Sequence, residues 1–512
     1  MLSKVLSGAT YGVSAYVVEV ETHLERALPG FDIVGLPGST VRESRGRIIA
    51  AIRNSGFTFP PRKLTVNLAP ADIRKEGSAF DLPMAVGILA ASSQIPPQPR
   101  GLYVVIGELA LDGTLRTVHG ILSIAVEVRR RKLSGLILPA GNGREAAMVD
   151  GVDVYPMVSL REVAAFFMGS APRRTPMRVN PADFACDECL PAVDYAEVKG
   201  QETVKRALEV AAAGAHNVIM IGPPGSGKTM IAKRIPTILP PMTFDEAIET
   251  TKIHSVAGVL PPGEALVSRR PFRSPHHTIS DAALVGGGIT PRAGEISLAH
   301  NGVLFLDELP EFARNVLEVL RQPLEEGRVT INRTRGTVVF PASFMLVCAM
   351  NPCPCGYLTD PSKECTCTPL QIQRHMARVS GPLLDRIDLH IEVAAVKYQD
   401  LSSSEGGEPS GLIRARVVRA REIQARRFNG RKGIYANADM PLRDIHVLCR
   451  LDAEGEELLK MAITRLGLSA RGYDRILKVA RTIADLAGSA PIRPEHVGEA
   501  IQYRSLDRSL LV

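Results

Sequence analysis

The sequence predicts an α/β protein whose carboxyl-terminal part is all helical. Three observations carry that expectation. Short β-rich runs alternate with helical ones over residues 1–168. An apolar strand, a glycine-rich loop and a helix follow one another at 217–233. From about residue 412 the pattern is wholly helical. A chain of 512 residues suits about three domains. The expected boundaries are an α/β domain over 1–168, a linker over 169–193, a phosphate-loop core with a parallel sheet over 194–395, a basic connecting segment over 396–435 and a helical domain over 436–512.

In the first domain, 15–20, 64–68, 104–106 and 136–138 are rich in β-formers and read as strands, and 39–53, 79–92 and 121–132 read as helices. The linker that follows is rich in proline, arginine and small residues, which suits an exposed connection. It holds Cys186 and Cys189, a C-x-x-C pair without a second pair to complete a metal site. Hydrophobic residues make up 45% of the chain and charged ones 22%, as in a globular protein with sizeable cores. The first residues lack a secretory apolar region, and no run of about 18 apolar residues predicts a membrane span. Eight cysteines in a chain this long do not make a disulfide scaffold, so a reducing, cytoplasmic location is expected.

The core opens with its most specific string: Gly222, Pro223, Pro224, Gly225, Ser226, Gly227, Lys228 and Thr229 fit G-x-x-x-x-G-K-[ST] at every position. Glycines let backbone N–H groups turn inward and form a concave anion site at a helix start. Lys228 would reach the β- and γ-phosphates of ATP, and Thr229 would ligand Mg2+. About eighty residues on, the apolar run 302–306 ends in Asp307 and Glu308. Asp307 would hold Mg2+ and Glu308 would orient and deprotonate the attacking water. A further apolar run, 343–350, ends at Asn351, which is placed to contact the γ-phosphate or the lytic water, or serves as a turn residue before Pro352. Arg386 precedes the last strand of this domain. It is the candidate arginine finger acting on a neighbour's ATP, the alternative being an ion pair with Asp385 or Asp388.

Two C-x-C pairs, Cys353 with Cys355 and Cys365 with Cys367, lie nine residues apart. They offer four thiolates for a tetrahedral zinc site that would pin the loop beyond Asn351; the alternative is four reduced, unligated cysteines. Charge is unevenly spread. Between Arg414 and Lys432 there are eight basic residues against Glu422 alone, an excess of seven that equals the net +7 of the whole chain. That run is a DNA-tracking face, or a solvated helix face, or one that meets an acidic neighbouring subunit.

Taken together these strings resemble the AAA+ ATPases, and among them the magnesium-chelatase-like group and its ComM/YifB branch. The likeness spans nearly the whole chain. Beyond the phosphate loop it rests on Val198-Lys199-Gly200-Gln201, Phe272-Arg273-Ser274-Pro275-His276-His277-Thr278, Gly294-Glu295-Ile296-Ser297-Leu298-Ala299-His300-Asn301-Gly302, Asn351-Pro352-Cys353-Pro354-Cys355-Gly356 and Ser380-Gly381-Pro382-Leu383-Leu384-Asp385-Arg386. The resemblance implies a ring, usually hexameric, with ATP between neighbours, so that Arg386 acts in trans. It implies a helical lid in which Arg471 senses the γ-phosphate. It also implies two hairpins pointing into the pore. One would lie near 276–290 with a flexible tip at Gly286, Gly287 and Gly288. The other would pair 328–332 with 337–340 across a turn at 333–336, whose Arg333 and Arg335 suit DNA phosphate contacts. The branch is associated with ATP-driven DNA unwinding and branch migration in natural transformation. The implied partners are therefore single-stranded or branched DNA, further copies of this chain and recombination proteins.

The first domain resembles the Lon-type protease fold (ribosomal S5 domain 2-like), through the string 66–83. Active members carry a serine in this turn and a lysine about forty residues later. Here Ala79 and Leu122 take those places, and Ser78 is one residue out of register. A serine without a base is a poor nucleophile, so a non-catalytic domain is expected. The other functions compatible with the sequence are ATP-driven remodelling of a protein or metal-insertion partner, an ATP-dependent peptidase using Ser78, and a scaffold that only binds ATP. A hairpin tip with arginines and no aromatic favours DNA over polypeptide, and Glu308 beside Asp307 favours turnover over mere binding.

Overall fold

The computed structural model describes residues 1–97, 103–170, 175–179, 193–261, 264–288, 291–333, 336–360, 362–395, 406–431 and 433–504. The chain divides into two compact units. One comprises Met1–Cys186 with Thr243–Ser268, and the other Asp187–Met242 with Arg269–Val512.

The first unit is built on a seven-stranded mixed sheet. Its strands are β1 (Leu2–Tyr11), β2 (Ser14–Glu25), β3 (Gly30–Val34), β4 (Lys63–Ala69), β5 (Tyr103–Val105), β8 (Gly135–Pro139) and β9 (Asp153–Met157), with β6 (Glu108–Leu109) and β7 (Leu115–Arg116) forming a separate small hairpin. The order is β3-β4-β2-β1-β5-β8-β9. The pairs β1–β2 and β2–β4 are antiparallel, and the other neighbours are parallel. Alternation decides which face of β4 is inside: Leu64, Val66 and Leu68 are fully buried between partly exposed neighbours. The expected strands at 15–20, 64–68, 104–106 and 136–138 all lie in this sheet. So do β1, β3 and β9, where interspersed Ser, Lys, Gly and Asp blur the β signal.

The helix Asp81–Ala91 is buried along its whole length, because every side chain after Asp81 is apolar or absent. Asp81 itself is held by Arg47, which donates two hydrogen bonds at 2.9 and 3.2 Å. Burial pushes the Asp81 carboxyl up to about 6, against the downward pull of that guanidinium. Nearby, Ser78 donates its hydroxyl hydrogen bond to the Glu108 carboxylate. Leu122 offers only its backbone N–H, to Glu145 at 3.0 Å.

The helix Phe244–Ala257 belongs to this unit although its sequence lies within the stretch expected to form the ATPase core. It starts at a capping box, in which Thr243 and Glu246 satisfy each other's backbone N–H groups. What fixes it is a polar stitch. The Ser255 hydroxyl accepts from Gly120 N–H at 2.9 Å and donates to buried Glu145 at 2.5 Å.

The second unit carries a five-stranded sheet in the order β11-β14-β17-β10-β18. These strands are β10 (Val218–Ile221), β11 (Phe272–Arg273), β14 (Val303–Leu306), β17 (Met345–Met350) and β18 (Leu389–Glu392), and all neighbours are parallel. Its central strands are buried end to end, which is why they read as continuous apolar runs rather than alternating ones. Two small hairpins complete the strand set: β12 (Gly286–Gly287) with β13 (Arg292–Ala293), and β15 (Arg328–Arg333) with β16 (Gly336–Pro341). The second is the hairpin expected between 328 and 340. The first corrects part of the sequence expectation: Gly286 and Gly287 form a strand, and of the three glycines expected at the tip only Gly288 lies past its end, next to residues 289–290 outside the described ones. Gly286 has φ +107° and approaches β13 so closely that a Cβ would lie 2.3 Å from the Arg292 carbonyl oxygen.

Past Glu408 the described residues form helices and turns, beginning with Ser410–Arg427. The entry to that helix is pinned. Gly407 N–H bonds Ala196 O at 2.9 Å, and buried Ser410 accepts from Tyr195 N–H at 2.8 Å. Much of the basic run is neutralised internally. Arg416 pairs with Glu209 and Glu408, Arg427 with Asp485, and Arg431 with Asp444. Arg419 and Arg426 stay exposed. Among the described residues no helix is long and apolar enough to cross a membrane.

The edge of the parallel sheet is tied to the helical part by Asp388. Its carboxylate accepts from Asn217 N–H at 2.9 Å and from Arg475 at 2.7 Å, with His216 Nδ1 3.5 Å away. Burial alone would raise this carboxyl, but Arg475 and His216 outweigh it and hold the group well below the usual carboxylate range. A depressed folded-state value means stability that is full above the unfolded value near 4 and is lost as pH falls below it. Asp388→Asn is therefore expected to cost about 3 kcal/mol at neutral pH. Urea unfolding followed by circular dichroism should show the gap between parent and variant narrowing as pH drops below about 4.

Candidate active site

In an open parallel sheet, ligands are held beyond the carboxyl ends of the strands. Three neighbouring strands end here in the residues picked out from sequence. β10 runs into the glycine loop, β14 into Asp307 and Glu308, and β17 into Asn351. The register places Ile221 beside Met350 and Leu306 beside Cys348, so the three exits are adjacent.

The loop is shaped by its glycines. Gly225 and Gly227 have φ of +77° and +87°, which turns successive N–H groups toward one side. At Gly222 a Cβ would lie 2.1 Å from Val393 O, so the chain leaves β10 pressed against the strand beside it. Gln201 braces the loop from outside. Its amide donates to Ser226 O at 2.8 Å and Ala394 O at 3.1 Å. The Gln201 backbone is left-handed at φ +56°, a strained state that only a defined local structure holds.

Lys228 is almost fully buried and folds over the loop. Its ammonium donates to Gly222 O and Pro223 O at 2.8 Å, and to Ser226 Oγ and Asn351 Oδ1 at 3.3 Å. Burial pushes this ammonium below its ordinary range, while Asp307 pulls it back up. Thr229 Oγ1 donates to Asp307 Oδ2 at 2.6 Å. A hydroxyl and a carboxylate converging in this way form a hard oxygen donor set suited to Mg2+.

Glu308 is set apart from Asp307 by its exposure and its backbone. Its side chain is 60% exposed, and its backbone sits at φ +52°, rare for a residue with a Cβ. His277 Nδ1 lies 3.6 Å from its carboxylate, too far for a hydrogen bond but close enough to steer it. His277 stacks against His276 at 4.1 Å and packs edge-on to Phe312. Sequence spacing gave no reason to pair His277 with Glu308, because 31 residues and a strand separate them. Glu308 and Asn351 line one cleft, together with Arg374, His375 and Arg378. There His375 Nε2 lies 3.1 Å from Asn351 O.

Arg386 is buried and partnered within the chain. It donates to Pro382 O at 2.5 Å and pairs with Glu325, rather than with Asp385 or Asp388. Arg471, at the start of the helix Ala470–Leu486, is 58% exposed and lies 3.6 Å from the same Glu325 carboxylate. One acid thus stands between the two arginines singled out from sequence. Arg335 and the side chain of Arg333, the expected DNA contacts, lie outside the described residues, as do Cys186 and Cys189.

Comparison with known proteins accounts for all three parts of the chain. The family models for subunit ChlI of magnesium chelatase match residues 20–142 and 194–401, and the model for its carboxyl-terminal part matches 407–504. The chain is 45% identical to Competence protein ComM of Haemophilus influenzae over 516 residues, covering 99% of this chain and 98% of that protein. It is 44% identical to the protein YifB of Escherichia coli, covering 100% and 98%. The Magnesium-chelatase 38 kDa subunit of Rhodobacter capsulatus is 25% identical over 181 residues, 32% of this chain and 51% of that one. The full-length likeness and the strand-end arrangement agree, and the chain belongs to the magnesium-chelatase-like ComM/YifB family of AAA+ ATPases.

Proposed function

We propose that this protein is an ATP-hydrolysing ring motor that acts on DNA, as a helicase promoting branch migration during natural transformation or homologous recombination. The observation that carries the ATPase part is the convergence of the phosphate loop, Asp307 with Glu308, and Asn351 at three adjacent strand ends. In this proposal the loop N–H groups and Lys228 bind the phosphates, and Thr229 and Asp307 hold Mg2+. The cation, when bound, neutralises charge on the β- and γ-phosphates. Glu308 takes the proton of the attacking water, Asn351 orients that water or the γ-phosphate, and Arg386 and Arg471 answer the charge that develops on the phosphoryl group. Lys228 would exchange loop carbonyls for phosphate oxygens, which requires no large movement of its buried stem.

Hydrolysis at subunit junctions needs a closed assembly of further copies, and a hexameric ring is the arrangement proposed. The first unit, with Ser78 turned to Glu108 and no lysine at position 122, serves in this proposal as a non-catalytic Lon-protease-like domain for assembly or DNA contact. DNA as the target is supported by the full-length likeness to a protein named for competence and by the β15–β16 hairpin, between whose strands the sequence carries Arg335, two residues after Arg333. The narrower likeness to the magnesium-chelatase subunit supports a second role, ATP-driven remodelling of a protein or metal-insertion partner.

A strand-displacement assay on forked and four-way DNA separates the two. The parent is expected to unwind DNA only with ATP. Arg333→Ala/Arg335→Ala should lose most unwinding, with a shallower salt dependence of DNA binding by about two counter-ions, and keep its basal ATPase. ATP turnover without any grip on or movement of DNA would favour the remodelling role instead.

A further inference from the structure

We propose that Cys353, Cys355, Cys365 and Cys367 bind one zinc ion, and that this metal clamps the phosphate loop and Asn351 in register. The second half rests on the proposal that the phosphate loop holds ATP; the first half stands alone.

The four Sγ atoms lie within 4.8 Å of one another. Cys353–Cys355, Cys353–Cys365 and Cys355–Cys365 are 3.4, 3.7 and 3.5 Å apart. A tetrahedral site with Zn–S bonds of about 2.3 Å spaces its sulfurs by about 3.8 Å, close to what is seen. A disulfide needs about 2.05 Å, so none of these pairs is bonded. A four-iron cluster would hold its thiolates further apart, which leaves a single ion. Backbone groups already point at the sulfurs as they do around a ligated thiolate. Cys355 N–H donates to Cys367 Sγ at 3.3 Å, and Gly356 N–H to Cys353 Sγ at 3.2 Å.

The position of the cluster gives it a consequence. Residues 351–360 and 362–368 form no helix or strand, and so long an irregular connection needs a staple. This one passes tightly over the phosphate loop. Gly356 has φ +86°, and a Cβ there would lie 2.5 Å from Pro224 Cδ. The cluster also fixes the start of the helix Pro369–Met376, capped by Thr368 directly after Cys367. That helix returns His375 to Asn351 O, and the Asn351 side chain reaches Lys228. Zinc would therefore hold Pro224 and Asn351 at the same time, both beside the loop that Lys228 folds over.

The test uses the full-length protein purified without added chelator. Metal content by atomic emission is expected to give about one zinc per chain. Replacement by Co2+ should give the intense visible bands and thiolate charge-transfer absorption of a tetrahedral four-sulfur site. Binding of a fluorescent ATP analogue is then compared in parent, metal-stripped, zinc-restored and Cys365→Ser/Cys367→Ser protein. Stripping is expected to weaken binding about tenfold, with recovery on adding zinc back. A parent without zinc, and without a four-thiolate cobalt spectrum, overturns the site whatever the variant does. Zinc at one per chain, with ATP-analogue affinity unchanged on stripping, overturns the clamp. A zinc-loaded parent that binds no nucleotide overturns the clamp together with the assignment of the phosphate loop, and leaves the metal site standing.

Discussion

Replacing Glu308 by glutamine is expected to lower ATP hydrolysis at least about a hundredfold, the range set by removing a general base. ATP binding should be unchanged. A hundredfold is about 2.7 kcal/mol of transition-state stabilisation. The substitution preserves size and shape, and the side chain is mostly exposed, so little stability is at stake. What it removes is a carboxylate that can accept a proton. Asp307 cannot take over, because its oxygens are committed to Thr229 and to the Glu308 N–H. The left-handed backbone at Glu308 supports the same conclusion: strain of that kind is kept where a side chain must be aimed. His277 provides a second reading of the site. If its ring steers the carboxylate, His277→Ala should reduce turnover by less than Glu308→Gln does and leave the affinity for ATP alone. Single-turnover hydrolysis with equilibrium nucleotide binding measures both. A Glu308→Gln protein that turns over ATP at the parent rate would remove this residue from the role of base.

How much of this was legible in the sequence depends on how local each feature is. The glycine loop and its flanking strand and helix lie within 17 consecutive residues, and its pattern encodes backbone conformation directly: Gly225 and Gly227 are glycine because φ is positive there. The four cysteines were legible for the same reason, since only nine residues separate the pairs. Buried parallel strands announce themselves as apolar runs, so β10, β14 and β17 could be placed by inspection. Features made by tertiary contact could not. The helix Phe244–Ala257 carries no mark of the unit it joins, because its attachment is made to residues distant in sequence, among them Glu145, which Ser255 meets from 110 residues away. Gly286 reads in sequence as part of a flexible tip and lies in a strand that needs to approach its partner closely. The basic run 414–432 is open to three readings in sequence, and two of its arginines, Arg416 and Arg427, are spent on acids that lie far off in sequence, at Glu209 and Asp485. The partner of Arg386 was equally hidden, since Glu325 lies 61 residues upstream.

That partner sets the terms of the last prediction. Within one chain Arg386 is buried against Glu325, with Arg471 on the other side of the same carboxylate. An arginine acting on a neighbour's ATP must leave or share that acid, so Glu325 would be the group that restrains it until a neighbour docks. Arg386→Ala is expected to cut ATP turnover about a thousandfold, the lower end for loss of such an arginine. Lys228→Ala should abolish nucleotide binding, because the buried ammonium bonded to the phosphate loop's carbonyls is the group placed to meet the phosphates. Neither variant alone should hydrolyse ATP. Mixed in equal amounts, they should recover activity at about a quarter of the sites, where an intact Lys228 meets a neighbour's intact Arg386. Arginine acting within its own subunit predicts no recovery at any ratio, because every chain then lacks one of the two groups. A structural role for the Arg386–Glu325 pair also predicts no recovery, and adds a lowered unfolding midpoint in Arg386→Ala and Glu325→Ala alike. A mixing curve that rises to a maximum near equal proportions, with both variants folded as the parent is, would establish a site shared between subunits; a flat one would end that idea.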